Sequence, residues 1–217
     1  MLKKVLSTIL ILSASAYAQE KSANDDCKAQ PGAVCAEMSL RGIDLHGKNL
    51  ANSQFARSEM IGADFRKTDL TKSNLRSADL RRANFQDASM PGSDLRSASL
   101  VDAIFQNANL AGARLENALM NSADFRGAEL NGANLSGGDL VSARLENARL
   151  QQANLSNANL KGAMLTGANL AGANLAGAIL TDADFSDADL TGANLSGARL
   201  DQARFRGART TGCSGCP

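Results

Sequence analysis

The chain has 217 residues, of which 44% are apolar and 21% charged, and its formal net charge is +1. An ordinary apolar content with a near-zero net charge excludes an intrinsically disordered chain. It also provides no overall positive field that would hold nucleic acid. The length suits one domain of moderate size.

Residues 1–18 contain the three parts of a secretory signal peptide. Lys3 and Lys4 form the positive start, residues 5–12 are a short apolar run, and a small-x-small cleavage site ends at Ala18. The apolar run is too short to span a membrane. We therefore predict cleavage after Ala18 and a periplasmic or secreted protein without membrane insertion. Loss of the two lysines leaves 21 basic against 22 acidic residues, a net charge of −1.

The rest of the chain repeats with a period of five residues. Every fifth position from Leu40 to Phe205 is apolar, with 24 Leu, 7 Phe and 3 Met at 34 positions. The residue two places earlier is Ala in 25 of these repeats, and Asn or Asp is frequent between the two. A period of five fits neither an α-helix nor a flat strand. The pattern predicts a chain that bends at every repeat and keeps each Leu inside, with frequent Gly at the bends.

The phenylalanines have a second period, of twenty residues. Six of the seven share one register, and Leu145 and Leu165 fill the two gaps in it. Twenty residues are four repeats, so we predict a four-sided coil whose rings stack at about 4.8 Å. The rings expected to stack are those of Phe65, Phe85, Phe105 and Phe125. A second register predicts a surface amide ladder of Asn134, Asn154, Asn174 and Asn194.

Runs such as Ala108-Asn109-Leu110-Ala111-Gly112 and Ala168-Asn169-Leu170-Ala171-Gly172 resemble the pentapeptide repeat family. The resemblance implies an all-β fold, a right-handed quadrilateral β-helix (a pentapeptide repeat solenoid) of about 8.5 coils of 20 residues. It implies no shared catalytic residues. Some members of the family mimic DNA and shield topoisomerases, and most have no assigned activity.

The four cysteines flank the repeats. In an exported protein an even number indicates disulfides, and three pairings are possible. A straight rod separates the two groups by nearly its length, so we predict the bonds Cys27–Cys35 and Cys213–Cys216, each closing a small loop over one end. The same separation excludes a four-cysteine zinc site within one monomer. A competing interpretation makes the C-terminal Cys-x-x-Cys a catalytic dithiol.

The predicted organisation has four parts. The parts are a signal peptide at 1–18, a polar segment with a disulfide cap at 19–37, the repeats at 38–209 and a Cys-x-x-Cys cap at 210–217. At the start of the repeats, the bulky residues Met38 and Ile43 replace Ala and are expected to plug the first coil.

The residues give no catalytic constellation. His46 is the only histidine, which excludes a triad or a multi-histidine metal site within one chain. The acidic residues recur with the repeat, so they follow the fold. We predict no enzymatic activity and no cofactor.

Two outward surfaces are candidates for contact with a partner. An apolar strip on one side of the coil is formed by Ile61, Val101, Leu119, Val141 and Ile179. A basic corner, with Asp79 and Asp94 near enough to neutralise it, is formed by Arg57, Arg76 and Arg96. The competing interpretation of both is an ordinary solvated face.

The sequence therefore favours a non-enzymatic exported scaffold, a rigid disulfide-capped rod. We expect a monomer whose partner is an envelope or extracellular protein rather than nucleic acid. The alternatives are a DNA mimic that protects topoisomerases, which the charge and the signal oppose, and a thiol–disulfide redox protein.

Overall fold

The computed structural model describes residues 27–217, so the predicted signal peptide and residues 19–26 lie outside the described residues. In this range the chain forms no helix and no continuous strand. Instead, 33 isolated parallel bridges each join one residue to the residue twenty positions later, from Val34–Gln54 to Asn194–Ser214. Bridged residues recur every five positions, so one coil takes twenty residues and has four sides. The chain is a four-sided β-solenoid.

The four sides are numbered here by their bridged residues. Side 1 contains residues 34, 54 and so on to 214, side 2 residues 39 to 199, side 3 residues 44 to 204, and side 4 residues 49 to 209. The bridges extend beyond the predicted repeat range of 38–209 at both ends. They do so because Pro31-Gly32 and Thr211-Gly212 form the same turn as the internal repeats.

The backbone hydrogen bonds of one repeat run mainly between coils. The N–H of Leu110 donates to the carbonyl of Glu129 at 2.7 Å, and that of Asn109 to the carbonyl of Ala88 at 2.9 Å. Within the repeat, the N–H of Ala113 donates to the carbonyl of Leu110 at 2.9 Å and closes the corner. Each coil is thus held by the coils on either side of it, as in other solenoids.

Each corner is a β-turn whose third residue has a positive φ, between +54° and +71°. This is the signature of a type II turn, which favours Pro at the second position and Gly or Asn at the third. Pro91-Gly92 meets both preferences, with Gly92 at φ +65°. Twenty residues other than Gly also have a positive φ, so Gly is frequent at the corners without being required there.

Asn and Asp are frequent at the bridged position because their side chains complete the corner. The Oδ1 atom of Asn109 accepts a hydrogen bond from the N–H of Ala111 at 3.0 Å, and Asp184 accepts one from the N–H of Ser186 at 2.9 Å. That N–H group has no backbone acceptor in the ladder. The short Asn or Asp side chain therefore accepts a hydrogen bond from the one backbone N–H that has no backbone acceptor at the bend.

The interior is a stack of apolar side chains. Phe65, Phe85, Phe105 and Phe125 stack with their ring centroids 4.7, 4.7 and 4.8 Å apart, which confirms the predicted column. The inner Leu, Met and Phe residues are almost fully buried from Leu40 to Leu195. Gly138 occupies an Ala position, and a Cβ atom there would lie 2.7 Å from Cε of Met120. The larger Met is therefore accommodated by a smaller residue eighteen positions later.

Candidate interaction surfaces

Leu119 is the most exposed member of the predicted apolar strip, at 48%. It lies on side 2, bridged to Ser99 and Asp139. Val101 and Val141 occupy the corner that follows side 2 and are half-buried. Asn121 stands between them in the same corner column. The apolar surface is therefore a small patch around Leu119 rather than a continuous strip.

The other two predicted members lie further along the rod. Ile61 is two coils from Val101 at the same corner, and Ile179 is three coils from Leu119 on side 2; both are half-buried. Side 3 has another exposed apolar residue, Met164 at 38%. Isolated apolar residues of this kind are normal on a soluble protein.

Most of the predicted basic corner is neutralised. Arg57 pairs with Glu37 at 2.6 Å, and the Nε atom of Arg96 donates to Oδ1 of Asp94 at 2.8 Å. Arg76 has no ion pair within residues 27–217, whereas Arg57 and Arg96 each have one. A single unpaired guanidinium makes a weak anion site.

Asp79, which was expected to neutralise this corner, instead pairs with Arg81, whose Nε atom donates to its Oδ1 atom at 2.8 Å. The Asp94–Arg96 pair has the same geometry. The guanidinium hydrogen bond lowers the pKa of each of these two carboxyls. In each case the arginine is two residues after the aspartate. The tripeptide Asp-(Leu/Phe)-Arg is the sequence signal for such pairs, which are Asp64–Arg66, Asp79–Arg81, Asp94–Arg96 and Asp124–Arg126.

A cluster of polar side chains surrounds Asp124 on side 3. Arg126 donates to it through Nε at 2.8 Å, and Gln106 through Nε2 at 2.7 Å. Burial raises the pKa of Asp124, but these hydrogen bonds outweigh burial and bring the pKa to about 2. Arg144 lies 4.0 Å from the same carboxylate and 3.4 Å from Glu146. The ionised carboxylate is thus occupied by hydrogen bonds to its neighbours. With so low a pKa it is unsuited to act as a general base near pH 7.

A shallow groove of about 340 Å³ adjoins this cluster. It runs along the corner between sides 3 and 4 over three coils. The groove is lined by Gln106, Asn107, Arg126, Gly127, Glu146 and Asn147. Its walls are polar turn residues, and it is too open to enclose a small ligand.

Side 1 changes character along the rod. In its C-terminal half the four predicted ladder residues are linked by amide hydrogen bonds of 3.1, 3.3 and 3.3 Å, from Asn134 to Asn194. The corners beside the ladder hold only uncharged residues, in the ranges 131–137, 151–157, 171–177 and 191–197. In its N-terminal half, side 1 and its corners hold eight charged residues, which are Glu37, Arg57, Lys72, Arg76, Asp94, Arg96, Arg114 and Glu116.

Residues 27–217 hold no group of three or more His, Cys, Asp or Glu side chains that could bind a metal ion. The only histidine, His46, is exposed and donates its N–H to Asp44 at 3.0 Å. No membrane-crossing helix is found in the part of the chain that the structure describes.

Comparison with known families accounts for most of this chain. The family of pentapeptide repeats matches in eight copies over residues 39–76, 143–182 and 168–207, and a related pentapeptide repeat region matches residues 78–155. The protein belongs to the pentapeptide repeat family. A search of curated proteins finds no match.

Solved pentapeptide repeat structures resemble this solenoid. HetL from the cyanobacterium Nostoc sp. strain PCC 7120, described as involved in heterocyst differentiation regulation, is 31% identical; the match covers 81% of this chain and 90% of HetL, with a TM-score of 0.48. A trypsin-treated variant of QnrB1, a plasmid-mediated fluoroquinolone resistance protein, is 25% identical over 82% of this chain and 90% of its own, with a TM-score of 0.60. Full-length QnrB1 is 23% identical, with coverages of 81% and 90% and a TM-score of 0.60.

The two ends of the pentapeptide repeat solenoid each hold one disulfide. The structure contains the pairs that the sequence predicts, with Cα–Cα distances of 5.2 Å for Cys27–Cys35 and 5.8 Å for Cys213–Cys216. Cys27 and Cys35 are buried, at 6% and 0% exposure, whereas both C-terminal cysteines are half-buried. The first bond is therefore part of the core, and the second lies at the surface.

Proposed function

We propose that this protein is an exported, non-enzymatic scaffold that presents a rigid surface to an envelope or extracellular protein. The proposal includes cleavage after Ala18, a right-handed solenoid of about 8.5 coils, a periplasmic or secreted location, and a monomeric state. It includes neither nucleic acid binding nor membrane insertion. The structural role proposed for the disulfides is to close the ends of the rod.

The observation that carries this proposal is the apolar patch around Leu119, which stands among polar side chains. The bridged Asn and Asp side chains accept backbone hydrogen bonds, and many arginines pair with carboxylates within the same or the next coil. The fold leaves Leu119 48% exposed, as it leaves Val34 (73%) and Met164 (38%), and of these three Leu119 lies beside two half-buried valines. An exposed leucine flanked by two half-buried valines suits the centre of a small protein contact.

Site-specific photo-crosslinking in living cells tests this proposal. A crosslinking residue at Leu119 or Val101 is expected to give one discrete adduct. Asn154, on the uncharged part of side 1, is the matched control and is expected to give none. Arg76 provides the competing surface. Adducts from Arg76 alone would move the interface to the basic corner, and equal adducts from every position would refute a specific partner.

Protection of a topoisomerase by DNA mimicry is the second candidate. It is favoured by the likeness to QnrB1, whose description as a fluoroquinolone resistance protein fits that role within the family. The charge opposes it, since the formal net charge is +1, or −1 after the proposed cleavage, and DNA mimicry requires a dominantly acidic rod. A supercoiling assay with purified gyrase and a fluoroquinolone decides between the two. We expect no protection, and protection at stoichiometric protein would establish the second candidate.

A further inference from the structure

The Cys213–Cys216 bond is the only disulfide in residues 27–217 that is not buried. Both of its cysteines are half-buried, whereas Cys27 and Cys35 are buried. Exchange with an external thiol requires the attacking thiolate to reach a sulfur atom. The two bonds should therefore differ in reactivity while the protein stays folded.

The C-terminal disulfide also holds the last cover of the core. Cys213 follows Leu195 by eighteen residues, the relation in which Gly138 lies over Met120. Leu195 is 1% exposed. The next two inner residues, Leu200 and Phe205, are only half-buried. Cys213 and Cys216 both pack against the buried core, of which Leu195 is the last member along the chain.

Three backbone hydrogen bonds hold this segment within the described residues. The N–H of Cys213 donates to the carbonyl of Thr210 at 3.0 Å and that of Ser214 to the carbonyl of Ala193 at 2.9 Å, and the Ser214 carbonyl accepts from the N–H of Leu195 at 2.6 Å. Gly215 packs against the coil below so closely that a Cβ atom would lie 2.7 Å from the carbonyl oxygen of Leu195. Terminal segments held by so few hydrogen bonds fray readily.

We propose that the Cys213–Cys216 disulfide is a site of thiol–disulfide exchange with dithiols, and that its reduction releases residues 213–217 and uncovers Leu195. Cys27–Cys35 stays oxidised under the same conditions. The C-terminal end of the rod is then open or closed according to the thiol content of its surroundings.

The chemistry is a two-step exchange. A thiolate of the dithiol attacks one sulfur of the Cys213–Cys216 bond, forming a mixed disulfide and releasing the other cysteine as a thiolate that takes up a proton. The second thiolate of the reductant then attacks the reductant's own sulfur in the mixed disulfide. This releases the second cysteine and leaves the reductant as a cyclic disulfide. The protein gains two electrons and two protons, and the dithiol loses the same number.

Timed reduction of the folded protein with dithiothreitol tests the selectivity. Free thiols are alkylated at each time and assigned by peptide mass spectrometry. We expect Cys213–Cys216 to be reduced at least about tenfold faster than Cys27–Cys35. In a denaturant that unfolds the chain, the two rates should converge. Equal rates in the folded protein, or faster reduction of Cys27–Cys35, would overturn the proposal.

Hydrogen exchange tests the release. After selective reduction, the amides of Leu195 and Ser214 are expected to exchange at least about tenfold faster, while that of Leu135 in the middle of the rod is unchanged. Unchanged exchange at Leu195 would refute the release even if reduction is selective.

A glycine variant gives an independent check. Gly215→Ala places a Cβ atom against the carbonyl of Leu195 and is expected to speed reduction of Cys213–Cys216 by about threefold or more. Gly132→Ala is the matched control, since Gly132 also has a positive φ of +64° but has nothing within 4 Å of the added atom. Equal reduction rates in both variants would show that packing on Leu195 does not hold the segment.

Discussion

The two ends of the rod are closed to different extents. At the N-terminal end Leu40 and Leu45 are each 1% exposed, with Met38, Ile43 and the buried disulfide packed beside them. At the C-terminal end the inner residues Leu200 and Phe205 are half-buried. The same repeat thus gives a sealed coil at one end and a partly open coil at the other.

The direction of the chain explains this difference. The N–H of an inner residue donates to the carbonyl nineteen positions later, as Leu40 donates to Glu59 at 2.7 Å and Leu45 to Asp64 at 2.9 Å. The N–H groups of Leu200 and Phe205 lack a backbone acceptor within the described residues. A solenoid of this kind therefore needs a separate device at its C-terminal end.

A charged residue placed inside the coils gives the largest expected loss of stability. It also tests directly whether the two ends of the rod differ in burial. Leu40→Asp should reduce the free energy of unfolding by at least about 3 kcal/mol, because it buries an unpaired carboxylate. Leu200→Asp should cost about 1 kcal/mol or less, since solvent reaches that position. Leu110→Asp, in the middle, should behave like Leu40→Asp. Urea denaturation measures all three, and equal losses at Leu40 and Leu200 would remove the distinction between the ends.

Replacing each cysteine pair by serine gives the next largest effect. Loss of Cys27 and Cys35 should cost about 2–4 kcal/mol, because a crosslink and a buried part of the core are lost together. Loss of Cys213 and Cys216 should cost less than about 2 kcal/mol, because the loop is shorter and its cysteines are already half-exposed. Thermal unfolding of the two double variants gives the order, and the reverse order would contradict the burial argument.

The interior provides a reference for tight packing. Gly138→Ala should cost about 1–3 kcal/mol, because the added methyl group meets Cε of Met120. In a Met120→Leu background the same substitution should cost much less, since the methionine tip is gone. A double-mutant cycle by chemical denaturation measures the coupling. Additive effects would show that Gly138 is not required by Met120.

Lowering the pH gives the smallest expected change in stability, through the carboxyl group of Asp124. The folded-state pKa of Asp124 is lowered to about 2, so its stabilising contribution is complete above the unfolded-state pKa of about 4 and is lost as the pH falls through about 2. The difference in Tm between the wild type and Asp124→Asn should be constant from pH 7 to pH 5 and shrink towards pH 2. A constant difference down to pH 2 would show that the Arg126 and Gln106 contacts do not stabilise the carboxylate.

Much of the fold could be predicted because the spacing of the residue types gives the length of one coil. The register of Phe65, Phe85, Phe105 and Phe125 gives twenty residues per coil, and the column of rings follows from that number alone. The amide ladder that includes Asn154 follows in the same way. Both depend only on which positions stand above one another.

Features that depend on side-chain reach were harder to predict. Asp79 pairs with Arg81 rather than with Arg76, because a guanidinium two residues after a bridged aspartate can fold back onto that carboxylate. The apolar strip shrinks to a patch at Leu119, because the polar Asn121 separates its neighbours. The unequal ends require knowing that the N–H of an inner residue donates to a carbonyl nineteen positions later, a relation that appears only with the packed coil.

The single-residue bridges constrain how the length of such a protein can change. Removing twenty residues, for instance 151–170, shortens the rod by one coil of about 4.8 Å and leaves every later side chain in its own column. Removing five residues shifts everything that follows by one side, so the Phe and Asn columns end in mid-rod. We therefore expect duplications and deletions of twenty residues to preserve the columns of stacked side chains. Changes of five, ten or fifteen residues place the later residues on a different side, so new columns must form.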